Sequence, residues 1–298
     1  MSGTNTHPET IGLLGIGLIG RAVARLLMAA GYDIVGYAPS EKSREVLRAL
    51  GGAPVDSVAA VARASSIVVL AVFNTDQVID VVEGEGGILS VRSTELPTVI
   101  NLSTCEPKRV SDLAERTKGK VAFVEMPISG TTTQVDKGEG VGLVGGELAD
   151  IARVEGLLGI ICPRHYRLGG VGAGAKAKLA VNLILGLNRA SMAEGIAFAE
   201  TLGLEARAFL DVARNSAAYS QVMDVKGRKM VERDYTPLSK VDQTLKDFRI
   251  MRSLAKEANQ VLPFAEVYID AMERCVQNGE ADKDNAILIE EIRRRKVK

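Results

Sequence analysis

One stretch decides the fold of the first half of the chain, Thr10-Ile11-Gly12-Leu13-Leu14-Gly15-Ile16-Gly17-Leu18-Ile19-Gly20. An apolar run leads into a GxGxxG pattern, a helical pattern begins inside it, and a second apolar run follows at 34–37. The glycines allow a tight turn, close approach to a pyrophosphate and close helix–strand packing, and the helix N-terminus attracts the anion. This context favours a dinucleotide site over a plain strand–turn–helix. The residues expected to contact the dinucleotide are Gly15, Ile16, Gly17, Leu18, Ile19 and Gly20.

The residues after the second predicted strand bear on which dinucleotide binds. NAD-specific versions of the motif place an acid there to bind the ribose hydroxyls, but this chain has Ala38. Asp33 comes too early, and Glu41 already belongs to the next predicted helix. The residues that could meet a 2′-phosphate instead are Ser40, Lys42 and Arg44, although the two basic residues could also be solvated. The sequence favours NADP, with NAD possible.

The periodicity of the chain changes near residue 170. Before it, apolar strands alternate with helical patterns, which predicts an α/β, doubly wound, mostly parallel sheet of the Rossmann type. The predicted strands are 10–14, 34–37, 66–72, 98–102, 121–124 and 141–144, with His165 on a further surface strand. After Gly172, strand signals vanish, and helices are predicted at about 173–202, 205–214, 220–232, 240–258, 263–279 and 282–296.

Two domains follow from this change of pattern. We expect a dinucleotide-binding domain at 1–171 and an all-α substrate and dimerisation domain at 172–298, joined by a long interdomain helix. That helix is apolar on most faces, so we expect it to be buried on several sides, with a homodimer covering part of it.

Composition narrows the class of protein. Lys plus Arg and Asp plus Glu number 37 each, which argues against nucleic acid or an anionic membrane as the main partner. The three cysteines form no CxxC and there are two histidines, so no disulfide framework or metal site is expected. Residues 1–9 are polar, no run is long and apolar enough to span a membrane, and the basic tip 293–298 fits a solvated helix end. We therefore expect a cytoplasmic protein.

A lysine near the start of the long helix is the main candidate for chemistry. Lys178 is followed by an apolar run and lies four residues before Asn182, so the two share a helix face. Loss of hydration against such a surface lowers the pKa of a lysine towards the range useful for proton transfer. Lys176 is the alternative buried lysine, but it does not share a face with Asn182.

Four motifs in order and spacing resemble the β-hydroxyacid dehydrogenase family, which includes 3-hydroxyisobutyrate dehydrogenase and tartronate semialdehyde reductase. They are Gly15–Gly20, the loop Glu125-Met126-Pro127-Ile128-Ser129-Gly130-Thr131, the run Gly172-x-Gly174-x-x-x-Lys178-x-x-x-Asn182, and Lys246-Asp247. The resemblance covers nearly the whole chain. It implies a reversible NADP(H)-linked oxidoreductase for a small 3-hydroxy acid or its semialdehyde, with a cleft between the two domains and a homodimer or homotetramer.

The resemblance also implies roles for particular residues. Lys178 would be the general acid and base, and Asn182 would hold the substrate or the lysine. Ser129, Gly130 and Thr131 would line the substrate site, with the first two binding a carboxylate, and Lys246 would lie near cofactor and substrate and help to lower the pKa of Lys178. Further cofactor contacts carry over to Val72, Phe73, Gln77 and Thr104.

Several alternatives stay open at this point. Ser129 is otherwise an ordinary turn residue, Lys246-Asp247 an exposed pair, and Tyr219 either a cleft wall or core. The loop departs from the family pattern, which has Asp and Ala in place of Glu125 and Met126 and a glycine in place of Thr131, so these residues do not identify the substrate. An imine reductase and a non-catalytic dinucleotide-binding sensor or scaffold are the competing functions; Lys178 and Asn182 argue against both.

Overall fold

The structure, a computed structural model, describes residues 9–92 and 96–295 of the 298-residue chain. The chain divides into two compact units, Met1–Lys178 and Leu179–Lys298. Predictions made for residues 1–8, including His7, and for 296–298 of the basic tip lie outside the described residues. Within the described part of the chain, no helix is long and apolar enough to cross a membrane.

The first unit is built on a nine-stranded sheet. Its strands are β1 (Thr10–Leu14), β2 (Asp33–Tyr37), β3 (Ala53–Pro54), β4 (Ile67–Leu70), β5 (Thr98–Asn101), β6 (Ala122–Glu125), β7 (Ile128–Ser129), β8 (Val141–Gly145) and β9 (Arg164–Gly169). Their order is β3-β2-β1-β4-β5-β6-β8-β7, with β9 paired to β8. The first six strands pair in parallel, in the order typical of a dinucleotide-binding sheet, whereas β8 runs antiparallel to β6 and β7.

The register of the parallel strands aligns their carboxyl ends. Tyr37 lies opposite Leu14, Leu14 opposite Leu70, Leu70 opposite Asn101, and Asn101 opposite Glu125. The segments that follow these strands therefore leave the sheet at one edge. Strand order reverses between β1 and β4, and ligands of open α/β sheets bind at such a switch point.

Helices cover both faces of this sheet. They are α1 (Leu18–Ala29), α2 (Glu41–Ala49), α3 (Val58–Ala64), α4 (Thr75–Glu83), α5 (Pro107–Arg116), α6 (Thr132–Asp136) and α7 (Leu148–Ile161), with a 3₁₀ turn at Ile88–Ser90. Successive β1 residues point to opposite faces, and Leu13 and Leu14 belong to two different hydrophobic clusters. A sheet buried on both sides explains why the strand sequences are continuously apolar.

The second unit is helical. The long helix α8 (Ala173–Thr201) begins in the first unit and continues into the second. The remaining helices are α9 (Ala206–Arg214), α10 (Arg228–Glu232), α11 (Val241–Glu257), α12 (Pro263–Gln277) and α13 (Leu288–Arg294), with a π-helical turn at Met223–Gly227 and a 3₁₀ turn at Asn285–Ile287. Phe248 stacks on Tyr268 with ring centroids 4.3 Å apart, in a core cluster that includes Leu179 and Met272.

The predicted fold class, a Rossmann-type sheet followed by an all-α region, is confirmed. His165 lies on a strand, β9, as predicted. The helical run predicted at about 220–232 is present over 223–232, where a π-helical segment, Met223–Gly227, leads directly into α10. On α8, Ile184 and Phe198 are each more than half exposed in the single chain, so the predicted burial of this helix on several sides, with a homodimer covering part of it, stays a prediction. The short elements β3, β7 and α6 were not predicted.

Candidate active site

The glycine-rich loop after β1 has the geometry that its spacing predicts. Gly15 has φ +96°, and a Cβ there would lie 2.4 Å from the carbonyl oxygen of Ala71. A Cβ on Gly20 would lie 2.0 Å from the carbonyl oxygen of Gly15, so only glycine lets α1 start this close to β1. Gly17, the N-cap of α1, is exposed with open space on the side where a Cβ would project.

This loop fits the pyrophosphate of a dinucleotide. The space beside Gly17 lies at the N-terminus of a 12-residue helix, where backbone N–H groups and the helix dipole favour an anion. Because the N-cap residue Gly17 has no side chain, these N–H groups make no hydrogen bond to a capping side chain and can bind an anion. The apolar residues of the loop differ in their exposure to solvent, since Ile16 is buried and Leu18 is 41% exposed.

The end of β2 carries no acid. Ala38 follows the strand and is buried. The Arg44 guanidinium donates to the carbonyl oxygen of Ala38 at 2.7 Å and, through Nε, to Glu41 at 2.9 Å. Ser40 holds the N-cap position of α2 but makes no side-chain cap hydrogen bond, and Lys42 is exposed. The end of β2, where dinucleotide-binding folds bind the ribose, is therefore followed by one hydroxyl, two basic side chains and one carboxylate, those of Ser40, Lys42, Arg44 and Glu41.

Two hydrogen bonds shape the segments that follow β4 and β5. The Ser103 hydroxyl accepts the N–H of Val72 at 3.0 Å, and the Gln77 side-chain oxygen accepts the N–H of Phe73 at 2.8 Å. Phe73 is 43% exposed, and Thr104 is half-buried next to Ser103. The structure thus places the predicted cofactor residues of this region on adjacent loops at the carboxyl edge of the sheet.

The loop after β6 forms a strand and a short helix. Ser129 ends β7, and Gly130 follows it. Thr131 caps α6: its hydroxyl accepts the N–H of Gln134 at 3.3 Å, and its own N–H donates to the Gln134 side chain at 2.9 Å. The Thr131 hydroxyl therefore belongs to a capping box. The sequence showed Thr131 only as a departure from the glycine of the family pattern and did not predict this capping role.

Lys178 is the buried lysine of α8. Its side chain is within the core, with 8% of the residue exposed, whereas Lys176 is exposed. The Lys178 ammonium donates to the carbonyl oxygen of Ile128 at 2.7 Å. The contact joins the start of α8 directly to the β7 loop that carries Ser129. Asn182 lies one turn further along the same helix.

Glu125 lies just before the β7 loop in the chain and contacts the start of α8. It is fully buried at the end of β6, and its Oε1 accepts the N–H groups of Gly172 at 2.5 Å and Gly174 at 2.8 Å. Burial raises the pKa of this carboxyl to about 7, against the opposing effect of those N–H donors and of Lys176. The sequence showed Glu125 only as a departure from a pattern; its long-range partners are not visible in local periodicity.

A second polar group lies within the helical unit. The Asn182 amide donates to Asp247 at 2.9 Å, and the Lys246 ammonium lies 3.3 Å from the other oxygen of the same carboxylate. Asp247 is buried and Lys246 half-buried, so the exposed-pair alternative for these two residues is wrong. The partnership of Asn182 with Asp247 was missed because they are 65 residues apart.

Tyr219 is not a core residue. Half of it is exposed, and its hydroxyl donates to Asp224 at 2.6 Å. The core alternative for Tyr219 is therefore wrong. His165, on β9, contacts the carbonyl oxygen of Cys162 and the carboxylate of Glu155, as expected of a surface strand residue.

Comparisons with known proteins show which families the chain matches. Residues 10–169 match the family model for the NAD binding domain of 6-phosphogluconate dehydrogenase, and residues 172–292 match the model for NAD-binding of NADP-dependent 3-hydroxyisobutyrate dehydrogenase. The chain is 27% identical over 286 residues to glyoxylate/succinic semialdehyde reductase 2, chloroplastic, of Arabidopsis thaliana, covering 95% of this chain and 79% of that protein.

Two solved structures share the fold. A crystal structure of 3-hydroxyisobutyrate dehydrogenase from Salmonella typhimurium superposes with a TM-score of 0.87 at 24% identity, covering 95% of this chain and 99% of that one. An imine reductase from Pseudomonas sp. superposes with a TM-score of 0.64 at 18% identity, covering 96% and 99%. At these identities the similarity shows the fold alone, and the chain follows the former much more closely than the latter.

Proposed function

This chain belongs to the β-hydroxyacid dehydrogenase family of NAD(P)-binding oxidoreductases, and we propose that it interconverts a small 3-hydroxy acid and the matching semialdehyde with NADP(H). The observation that carries the proposal is the buried Lys178 ammonium, which the β7 loop holds at the carbonyl oxygen of Ile128. A proton donor fixed beside a loop suited to bind a carboxylate is what carbonyl reduction requires.

Lys178 acts on the carbonyl oxygen of the substrate. The bound nicotinamide supplies the hydride for reduction and accepts it in oxidation. As negative charge develops on the carbonyl oxygen, the Lys178 ammonium donates a proton to it; in oxidation, the neutral amine takes that proton back. The carbonyl oxygen of Ile128 orients the ammonium, and burial excludes the water that would otherwise compete for the proton.

The substrate carboxylate is bound by the loop next to Lys178. In this proposal the Ser129 hydroxyl and the N–H of Gly130 donate hydrogen bonds to it. Thr131, whose hydroxyl caps α6, offers its methyl group as part of the wall. Asn182 and Lys246 are assigned further substrate contacts, and the pairing of Asn182 with Asp247 fixes which way its amide points.

The preference for NADP over NAD rests on the absence of an acid after β2. Ala38 occupies that position, and Arg44 lies next to it with a guanidinium that can pair with a 2′-phosphate. The carboxylate of Glu41 has to give up part of its contact with Arg44 for this to happen. The remaining cofactor residues are assigned as predicted, at Val72, Phe73, Gln77 and Thr104.

A substrate panel tests the proposal. Oxidation of NADPH and NADH is followed with glyoxylate, succinic semialdehyde and other carboxylate-bearing aldehydes, with the same aldehydes lacking the carboxylate, and with a cyclic imine. We expect turnover of the carboxylate-bearing aldehydes with NADPH and roughly 10²-fold less without the carboxylate, about the loss from two charge-assisted hydrogen bonds. Turnover of the imine alone, or of nothing in the panel, would overturn it.

Self-association is a separate part of the proposal. Large apolar side chains of the helical unit are exposed, among them Ile184 and Phe198 on α8 and Phe264 and Val267 on α12. Exposed apolar groups of this size favour a homodimer or homotetramer. Sedimentation velocity tests this, and a monomer at micromolar concentration would contradict it. A cytoplasmic location stays a prediction from the sequence.

A further inference from the structure

The segment from Glu125 to Ile128 holds the start of α8 at two points. The Glu125 carboxylate accepts the N–H groups of Gly172 and Gly174, and three residues later the carbonyl oxygen of Ile128 accepts the Lys178 ammonium. Both contacts join the same two pieces of chain. The position of Lys178 relative to the substrate loop therefore depends on how firmly Glu125 holds the first turn of its helix.

The carboxylate is enclosed by backbone. A Cβ on Gly174 would lie 2.3 Å from the carbonyl oxygen of Leu143 and 3.3 Å from Glu125 Cδ, and a Cβ on Gly145 would lie 2.5 Å from Glu125 Oε1. Glycines at both positions allow this approach. Oε1 takes both N–H groups, whereas Oε2 is buried without a hydrogen-bond partner among the described residues. A buried carboxyl with one uncompensated oxygen is poised between its two protonation states.

The groups that favour the ionised form of Glu125 include one charged side chain and several backbone donors. They are the exposed Lys176 on α8 and the N–H groups of Gly172, Gly174 and Ala175. On β5, the neighbouring residue in the sheet is the neutral Asn101, and β8 contributes Gly145. Burial raises the pKa of Glu125 by more than these N–H groups and Lys176 lower it, so the pKa is about 7. The carboxyl therefore changes charge within the range where a reductase operates.

From this arrangement we infer that Glu125 is a positioning residue that acts through Lys178. This inference rests on the function proposed above. Ionised Glu125 anchors the N-terminus of α8 with two charge-assisted hydrogen bonds and keeps Lys178 at Ile128. Protonated Glu125 has weaker acceptors and no charge to offer the helix N-terminus, so the first turn of α8 and Lys178 shift away from the loop.

Two substitutions separate charge from structure. Glu125→Gln keeps the length of the side chain and an oxygen acceptor but cannot ionise, and Glu125→Asp keeps the ionisable group on a shorter side chain. We expect wild-type kcat to fall on the acid side of a midpoint near pH 7, the pKa of Glu125. Glu125→Gln is expected to show the low-pH rate, roughly tenfold below the wild-type plateau, at every pH. Glu125→Asp is expected to restore an acid limb with a shifted midpoint.

A second readout does not need turnover. Reductive methylation of Lys178 with formaldehyde and cyanoborohydride is quantified by mass spectrometry over pH 5.5–8.5, with the exposed Lys118 as the internal reference. In wild type the ratio of Lys178 to Lys118 labelling is expected to change around pH 7, and in Glu125→Gln this transition is absent. The same transition in both proteins, in labelling or in kcat, would overturn the inference. A transition confined to wild type in a protein that reduces no substrate would support the positioning role while refuting the proposed function.

Discussion

Two of the buried carboxylates, Glu125 in the first unit and Asp284 in the helical unit, differ in how many hydrogen-bond donors and counter-ions surround their oxygens. Asp284 lies in the helical unit, where both of its oxygens contact the buried Lys226 ammonium at 2.7 and 2.8 Å, and N–H groups of Leu238, Ser239 and Ala286 donate to it. These partners lower the pKa of Asp284 in spite of its burial. Glu125 has backbone donors on one oxygen and no ion pair among the described residues, and its pKa is raised.

The role of a buried carboxylate depends on how completely neighbouring groups replace the hydration that its charge has lost. Asp284 joins the π-helical turn, the 238–239 segment and the turn before α13, and its charge is fixed over the physiological pH range. It is therefore a structural element of the helical unit. Glu125 keeps a titratable charge at the start of the helix that carries Lys178. This arrangement costs stability and suits a site where protonation has a consequence.

The largest effect is expected at Asp284. Asp284→Asn leaves the Lys226 ammonium buried without its counter-ion, which should lower the free energy of unfolding by about 3–5 kcal/mol. Asp282→Asn is the matched control, because Asp282 pairs with Lys240 at the surface and exposed pairs contribute about 0–1 kcal/mol. Thermal and urea unfolding followed by circular dichroism measure both variants. Equal losses for the two would remove the distinction between a compensated buried charge and an exposed one.

The next effect is the pH dependence of stability at Glu125. The pKa is raised from 4.5 to about 7, so between these pH values the folded state binds the proton that the unfolded state has released. Stability therefore falls as pH rises through this window, by about 3 kcal/mol, and is level above it. Glu125→Gln should lack this contribution. Denaturant midpoints at pH 5 and pH 8 give the slope, and identical slopes in wild type and variant would contradict the assignment.

The smallest effect is expected for an ion pair on α2 of the first unit. The half-buried Arg44 contacts the exposed Glu41, and the proposed partner of Arg44 is the 2′-phosphate of NADP. Arg44→Ala should raise the Kd for NADPH roughly tenfold, about 1.4 kcal/mol, and leave the Kd for NADH unchanged. Arg48→Ala on the same helix is the control, since Arg48 lies only at 4.0 Å from Glu41. An equal change for both cofactors would show that Arg44 does not read the phosphate.

Much of the fold was predictable because its signals are local. The apolar strands, the glycine spacing at Gly15–Gly20 and the loss of strand signals after Gly172 indicated the architecture. Elements of two or five residues, such as β7 and α6, have too few positions to show a period. The π-helical turn at Met223–Gly227 contains the buried Lys226, whose partner lies 58 residues away.

The candidate site, like the fold, was predictable where its signals are local in the sequence and not where they depend on contacts between distant residues. The spacing of Lys178 and Asn182 singled out the lysine that is buried, since Lys178 is buried and Lys176 exposed. What the sequence could not give were the partners: Ile128 for Lys178, Asp247 for Asn182, and Gly172 with Gly174 for Glu125. Each pair is more than 40 residues apart, so only the folded chain brings the partners together.

The most direct test compares Lys178→Ala with Lys176→Ala. In the proposed mechanism, the Lys178 ammonium donates the proton in carbonyl reduction. We expect Lys178→Ala to lose about 10²–10⁴-fold in kcat with the best semialdehyde of the panel, with an unchanged Kd for NADPH measured by fluorescence, while Lys176→Ala retains wild-type kcat. A Lys178→Ala enzyme that binds NADPH normally and turns over within threefold of wild type would contradict the account.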